Sequence, residues 1–277
     1  MSRDGPIWCE RQTGTSAQEG HELAERTPRA RTSPGETPGV DAALKKLIKD
    51  LEVGGQFALP GVLCAPAFGD AEHNGPAMRV LLALMWLSSN TLKRGGVARF
   101  QASLTDLRHA AGFSRYKGNA PVKDALAAIS NTECKFIDGE DVPVFAEFEQ
   151  MRYKDVELVE WSFQREFAAV FDNPGRFALI DISHLAQLTK GIDLFLYRQA
   201  MLVKNMRKPV FRMPASELYR VTGIDESKPF KRVVERVRRS LSRVSTVAGL
   251  EVSITPIFER GSRALAGLEF MVEAQEA

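Results

Sequence analysis

Residues 228–243, KPFKRVVERVRRSLSR, constrain the fold more than any other segment of this chain. At about 100° per residue, a helix places their apolar side chains on one side and most of their cations on the other. The apolar side comprises Phe230, Val233, Val237 and Leu241, with Val244 beyond, and the cationic side comprises Lys228, Arg232, Arg236, Arg239 and Arg243. One side can then pack on a core while the other faces a polyanion, since neutralised phosphates release counterions. The alternative is an ordinary solvated face, although only Glu235 interrupts the row.

The segment just before it, residues 214–223, predicts a short helix that ends at a glycine. Pro214 or Ser216 would begin this helix, and Gly223 can take the left-handed conformation that ends it. Residues 224–227 then form a turn, with Ser227 as the expected N-cap of the basic helix.

Two alternating, strand-like runs follow the basic helix, at residues 250–255 and 268–272. The turn between them contains Arg260 and Arg263. Helix, turn, basic helix and hairpin together predict a winged helix, with both arginines near the tip of the wing.

The same pattern occurs earlier in the chain, which indicates an internal repeat. Residues 105–107 and Gly112 match residues 216–218 and Gly223 at a constant offset. The next helix would bury Val122, Leu126 and Ile129. Its only neighbouring cations are Arg115, Lys117 and Lys123, so we expect the carboxy-terminal copy to dominate contact with DNA. Alternatively, the helices of the first copy serve only as packing elements.

Charge is concentrated around the second copy. Residues 204–243 contain 12 Lys and Arg against 4 Asp and Glu, a balance of +8 in a chain whose net charge is +2. The remainder therefore carries −6, and this segregation is typical of a polyanion-binding surface.

The sequence predicts an α+β fold of two tandem winged-helix domains with a disordered N-terminal arm. Residues 1–40 form the arm because they are rich in Ser, Thr, Pro, Gly and Arg. The first domain, with its N-terminal extension, spans 41–182, and the second spans 183–277. We expect helices at 41–52, 80–87, 162–171, with Ser162 as cap, and 192–206. We expect strands at 134–137, 142–148, 151–161 and 177–180. Residues 54–74 are expected to be irregular.

Several other classes of protein are disfavoured. Cys9, Cys64 and Cys134 lack the spacing of a metal site, and a reducing cytoplasm is expected. The four histidines are scattered, and no GxxxxGK[ST] loop occurs, so we expect neither an enzyme nor a cofactor or metal. The longest apolar run is too short to cross a membrane, and the start of the chain lacks an apolar signal region.

Four short motifs and the order in which they occur are similar to a known family. They are WSFQREF at 161–167, FALIDI at 177–182, GIDLFLYR at 191–198 and MPASELYRVTG at 213–223. Over roughly residues 78–272 the chain resembles plasmid replication initiators of the Rep_3 type, which bind repeated origin sequences (iterons) through tandem winged helices. The resemblance implies binding to double-stranded origin DNA, opening of an adjacent A·T-rich segment and recruitment of host replication proteins. Some initiators of this type also form a homodimer, largely through the first winged helix, and repress their own promoter, so a homodimer is a further expectation.

Carried onto this sequence, the resemblance makes residues 227–243 the second recognition helix. Its candidates for major-groove contact are Lys228, Lys231, Arg232, Arg236 and Arg239. Arg243, Arg260 and Arg263 are the candidates for phosphate or minor-groove contact. Two other functions stay open: a winged-helix transcription regulator without a role in initiation, and a protein whose basic helix meets an acidic partner instead of DNA.

Overall fold

Two short strands flank the first unit along the chain, and the sequence analysis does not predict the first of them. The computed structural model describes residues 55–65, 67–92, 98–114, 118–136, 140–172, 176–259, 261 and 265–274. Strand β1 (Gln56–Pro60) pairs antiparallel with β7 (Phe177–Asp181), with Phe57 opposite Ile180. The prediction of irregular chain at 54–74 is therefore wrong for β1, in which Phe57, Leu59 and Pro60 are buried and Gln56 is exposed. The expected arm at 1–40 and helix at 41–52 lie outside the described residues.

The first winged unit begins with a buried helix, α1 (Gly75–Leu92). Strand β2 (Phe100–Ser103) and helices α2 (Leu104–Ala110) and α3 (Ala120–Ile129) follow it. After a small pair of strands, β3 (Glu133–Lys135) and β4 (Asp141–Pro143), the chain forms a long hairpin of β5 (Phe145–Tyr153) and β6 (Val156–Phe163). Strand β6 lies between β2 and β5 in an antiparallel sheet.

The second winged unit repeats this order. Helix α5 (Gly191–Val203) leads to strand β8 (Val210–Pro214) and to helices α6 (Ala215–Thr222) and α7 (Phe230–Ala248). The hairpin consists of β9 (Leu250–Phe258) and β10 (Leu265–Ala274), and β10 lies between β8 and β9. The sheet orders β2-β6-β5 and β8-β10-β9 are equivalent, so the sequence repeat is a repeat of topology.

The repeated residues occupy equivalent places in the two units. Leu107 in α2 and Leu218 in α6 are both fully buried. Gly112 and Gly223 follow these helices with φ of +67° and +61°, the left-handed region that glycine enters without steric cost. The residue types that revealed the repeat are therefore those that pack and end the second helix of each unit.

The segment before β7 differs from the prediction. Residues 162–171 were expected to be one helix capped by Ser162, but Ser162 is buried within strand β6. Only a short helix, α4 (Arg165–Ala169), follows. The apolar spacing suggested one helix because Phe163, Phe167 and Phe171 lie in one cluster. The ring centroids of Phe163 and Phe167 are 5.3 Å apart, and those of Phe167 and Phe171 are 5.9 Å apart. Phe163, however, reaches this cluster from strand β6.

The two units share one core, and no break in packing marks the predicted boundary at residue 182. The described residues belong to one compact unit, in which α5 contacts α1 and β7 as well as α7. The Arg198 guanidinium in α5 donates to the backbone oxygen of Leu63 at 2.8 Å and to the Glu72 carboxylate, and both charged side chains are buried. The first helix of the second unit is therefore anchored in the first unit.

Candidate nucleic-acid interface

Helix α7 has one buried and one charged side. Its buried side comprises Val233, Val237, Ser240, Leu241 and Val244, while Lys228, Lys231, Arg232, Arg236 and Arg239 are exposed. Lys228 precedes the first helical residue, because α7 begins at Phe230 and not at the expected Ser227. Pro229 occupies the N-cap position, and the backbone N–H of Ser227 donates instead to the Asp225 carboxylate at 2.8 Å.

Contacts between α6 and the turn hold the start of α7 in place. The Tyr219 hydroxyl donates to the backbone oxygen of Lys228 at 2.8 Å, and its ring meets Phe230 edge-on at 5.7 Å. Gly223 ends α6 in the left-handed conformation. The cations of the first turn are therefore presented by a braced backbone, which limits the ordering cost when they bind a partner.

A groove of about 370 Å³ lies between α7 and the start of α5. Its cations are Lys190, Arg232, Arg236, Arg239 and Arg243. Among its described lining residues the only carboxylate is Glu235, which is 3.9 Å from Arg239. This concentration of one sign in a concave surface focuses positive potential and favours a polyanion.

Arg243 pairs with a buried carboxylate of a different helix. Its guanidinium donates twice to the Asp193 carboxylate of α5, at 2.8 Å and 2.6 Å, and also to the Ser240 hydroxyl at 3.1 Å. The Asp193 side chain is fully buried and that of Arg243 is 36% exposed. These hydrogen bonds raise the pKa of Arg243. This arginine is therefore held against α5, and its predicted contact with phosphate or the minor groove stays a prediction.

The wing of the second unit is described only in part. Strands β9 and β10 pair along nearly their whole length, with Leu250 opposite Ala274. Gly261, between them, has φ of +80°. Arg260 and Arg263 lie outside the described residues, so their predicted contact with DNA stays a prediction.

Of the three cations predicted to contact DNA in the first unit, the structure describes one. Arg115 and Lys117 lie outside the described residues, and Lys123 forms an ion pair with Glu157. Hydrogen bonds from Lys123 and Asn119 lower the pKa of Glu157. The remaining exposed face of α3 carries three alanines and one aspartate: Ala120, Asp124, Ala127 and Ala128.

Sequence reasoning missed the tip of the first wing. The β5–β6 hairpin turns at Lys154, which has φ of +53°, and its ammonium lies 5.4 Å from the centre of the Tyr153 ring. Tyr153 is 57% exposed, and Arg152 lies 3.7 Å from Asp155. The signal in the sequence is the polar Lys154-Asp155 pair, which interrupts the segment predicted as one strand from 151 to 161.

Other polar groups of the described residues serve the fold. The Tyr197 hydroxyl accepts from the backbone N–H of Asp181 at 3.0 Å and lies 2.9 Å from His184 Nδ1. Cys64 and Cys134 are buried, and burial raises the pKa of each thiol to about 12. Within the described ranges, no cluster of three His, Cys, Asp or Glu could hold a metal ion, and no helix is long and apolar enough to cross a membrane.

Comparison with known proteins places the fold. No protein-family sequence model and no curated protein sequence matches the chain. The crystal structure of the Pi initiator protein in complex with iteron DNA is similar with a TM-score of 0.57 and 13% identity, over 80% of this chain and 98% of that one. Two crystal structures of RctB domains 2 and 3 are similar at 14% identity, over 73% and 72% of this chain and 83% and 82% of theirs, with TM-scores of 0.48 and 0.43. The resemblance to iteron-binding initiators is confirmed at the level of the fold: the described part of the chain has the fold of the Pi initiator protein.

Proposed function

We propose that this protein binds double-stranded DNA and that α7 enters the major groove. The observation that carries the proposal is a set of exposed cations on α7 and just before it, on a helix whose opposite side is buried: Lys228, Lys231, Arg232, Arg236, Arg238 and Arg239. Arginine pairs most often with guanine, and lysine and arginine also neutralise phosphates. The likeness to a protein crystallised with iteron DNA supports the same reading.

We further propose that the protein initiates plasmid replication in the cytoplasm by binding direct repeats at an origin. Two winged units of equal topology, joined by a shared core, can contact one extended DNA site. Opening of the origin, recruitment of host replication proteins and dimerisation through the first unit belong to this proposal. The role is binding and assembly, and this chain needs no catalysis or cofactor for it.

The test is binding to DNA from upstream of the gene, titrated against salt and against random DNA. If the five predicted contacts Lys228, Lys231, Arg232, Arg236 and Arg239 all neutralise phosphates, the logarithm of affinity falls with the logarithm of salt with a slope of about −4 to −5. Footprints on direct repeats, about two helical turns apart, would support initiation and justify a test of origin activity. A single footprint on an inverted repeat would instead indicate a transcription regulator.

Paired variants control for general charge effects. Arg232→Glu with Arg236→Glu should abolish specific binding, whereas Arg165→Glu, an exposed site at the start of α4, should leave it unchanged. Unchanged affinity after the double charge reversal would refute DNA binding by α7 and favour an acidic protein partner.

A further inference from the structure

A second depression lies at the far end of α5 from the basic groove. Its volume is about 780 Å³, and the chain around residues 202–208 forms one wall. Its apolar lining comprises Phe177, Leu202 and Met206. Lys190 precedes α5 and the wall begins at Leu202 in its last turn, so most of a 13-residue helix about 20 Å long lies between the two surfaces.

The depression carries apolar surface that the fold leaves uncovered. Phe177 is 51% exposed, and Leu179 on the same side of β7 is 38% exposed. Ala178 and Ile180, on the other side of the strand, are fully buried. Phe177 lines the depression and Leu179 lies beside it on the same side of β7, and contiguous exposed apolar surface can mark an interaction site.

The backbone around the depression is firmly held. Gly61 donates its N–H to the oxygen of Arg176 at 2.7 Å, and Phe177 pairs with Pro60 in the β1–β7 ladder. A side chain at Gly61 would lie 3.2 Å from Leu202. On the opposite wall, the N–H of Val210 donates to the oxygen of Lys208 at 2.8 Å. The surface is therefore formed before any partner arrives.

The rim is cationic. Arg176, Arg207 and Lys208 line the depression together with the apolar residues, and no described carboxylate lines it. None of the three forms an ion pair with another described residue. Phosphodiester backbones satisfy such cations but gain nothing from an exposed Phe177, whereas an acidic peptide with an apolar anchor uses both.

We propose that this depression docks an acidic segment of a partner protein, with one aromatic or aliphatic side chain inserted against Phe177, Leu202 and Met206. Charge complementarity selects the segment, and the apolar contact retains it. Since the surface is about 20 Å from the basic groove along α5, the partner can bind while α7 is on DNA. The proposal does not depend on which DNA sequence is recognised.

The probe is a short fluorescein-labelled peptide of aspartates and glutamates around one phenylalanine and two leucines. Its control carries serine at the three apolar positions. Fluorescence anisotropy with the full chain should show binding at least tenfold tighter for the apolar-anchored peptide. Equal binding of the two peptides, or no binding, would overturn the proposal.

Variants locate the site. Phe177→Ser, and Arg207→Glu with Lys208→Glu, should each weaken peptide binding at least tenfold. Phe258→Ser, at a phenylalanine that is 54% exposed elsewhere, and Arg165→Glu should leave it unchanged. Circular dichroism checks that every variant is folded.

Two results would assign the surface differently. If only Arg232→Glu with Arg236→Glu removed the peptide, its site would be α7 and the proposal would be wrong. If the rim variants weakened binding of a random DNA duplex as strongly as they weakened peptide binding, the depression would be a DNA contact. Specific binding of DNA by α7 is tested separately, by the titration of the charge-reversal variants against DNA.

Discussion

Replacing Arg239 and Arg243 separately gives the sharpest test of how α7 works. Both lie on the cationic side of the helix in sequence, but Arg239 is 76% exposed while Arg243 is held by the buried Asp193. We expect Arg243→Met to lower the free energy of unfolding and Arg239→Met to lower affinity for DNA.

The magnitude follows from the Asp193 pair. Removing one partner of a buried ion pair costs about 3–5 kcal/mol, because the other charge is left without compensation. Since the Arg243 side chain is 36% exposed, solvent screens part of the interaction, and we expect about 2–3 kcal/mol. Replacing Asp193 by Asn in the same chain removes the stranded charge, so the double variant should be more stable than Arg243→Met alone.

The assay is urea unfolding followed by circular dichroism, arranged as a double-mutant cycle. We expect a coupling energy of about 1.5–3 kcal/mol between Asp193 and Arg243. For Arg239→Met, unfolding should change by less than about 0.5 kcal/mol, while the salt slope of DNA binding becomes shallower by about 1. A coupling below about 0.5 kcal/mol, with a loss of DNA affinity equal to that of Arg239→Met, would show that Arg243 contacts DNA directly and would refute the positioning role.

Three further predictions concern separate parts of the molecule. Arg236→Ala should weaken binding to the specific site by about 1–3 kcal/mol while random DNA is little affected; an even loss over all sequences, with a shallower salt slope, would mark a phosphate contact instead. Burial lowers the pKa of His184, so the unfolded chain binds a proton at a higher pH than the folded chain does. The free energy of unfolding should therefore decline as pH falls from the ordinary pKa of histidine to the lower pKa of the folded state. The free energy of unfolding of His184→Gln should depend less on pH between these two pKa values. Gly191→Ala should lower the free energy of unfolding in urea by about 1–3 kcal/mol, because the added carbon would lie 2.1 Å from the backbone oxygen of Glu72. An unchanged midpoint would mean that the backbone near Glu72 moves away from α5 at little energetic cost.

The second winged unit was largely predictable because its signals are local. Gly223 ends α6, the apolar stripe of α7 matches the helical period, and the alternating runs after it form β9 and β10. The N-cap of α7 was less predictable. The backbone N–H of Ser227 donates to the Asp225 side chain in a local turn, and Pro229 takes the N-cap position.

Long-range pairings could not be predicted in the same way. Strand β1 pairs with β7 more than a hundred residues later, and no local pattern marks that partner. Ser162 has a good capping residue type before an apolar run, yet pairing of β6 with β2 and β5 takes precedence over this local preference. Arg243 likewise fits the cationic row by spacing, and only the position of Asp193 on a different helix reveals its partner.

Contacts at the junction between the winged units fix the position of one unit relative to the other, although the two units carry different charge. Arg198 and Glu72 form a buried pair across it, and carbons added at Gly75 or Gly191 would each lie 2.1 Å from a backbone oxygen of the facing segment. Contacts this close leave little room for one unit to rotate against the other, since a packed interface does not deform continuously. The separation of α3 and α7 is therefore fixed before DNA binds. Under the proposed function, α7 supplies most of the affinity through its cations, while the alanine-rich face of α3 need only fit the groove at that fixed distance.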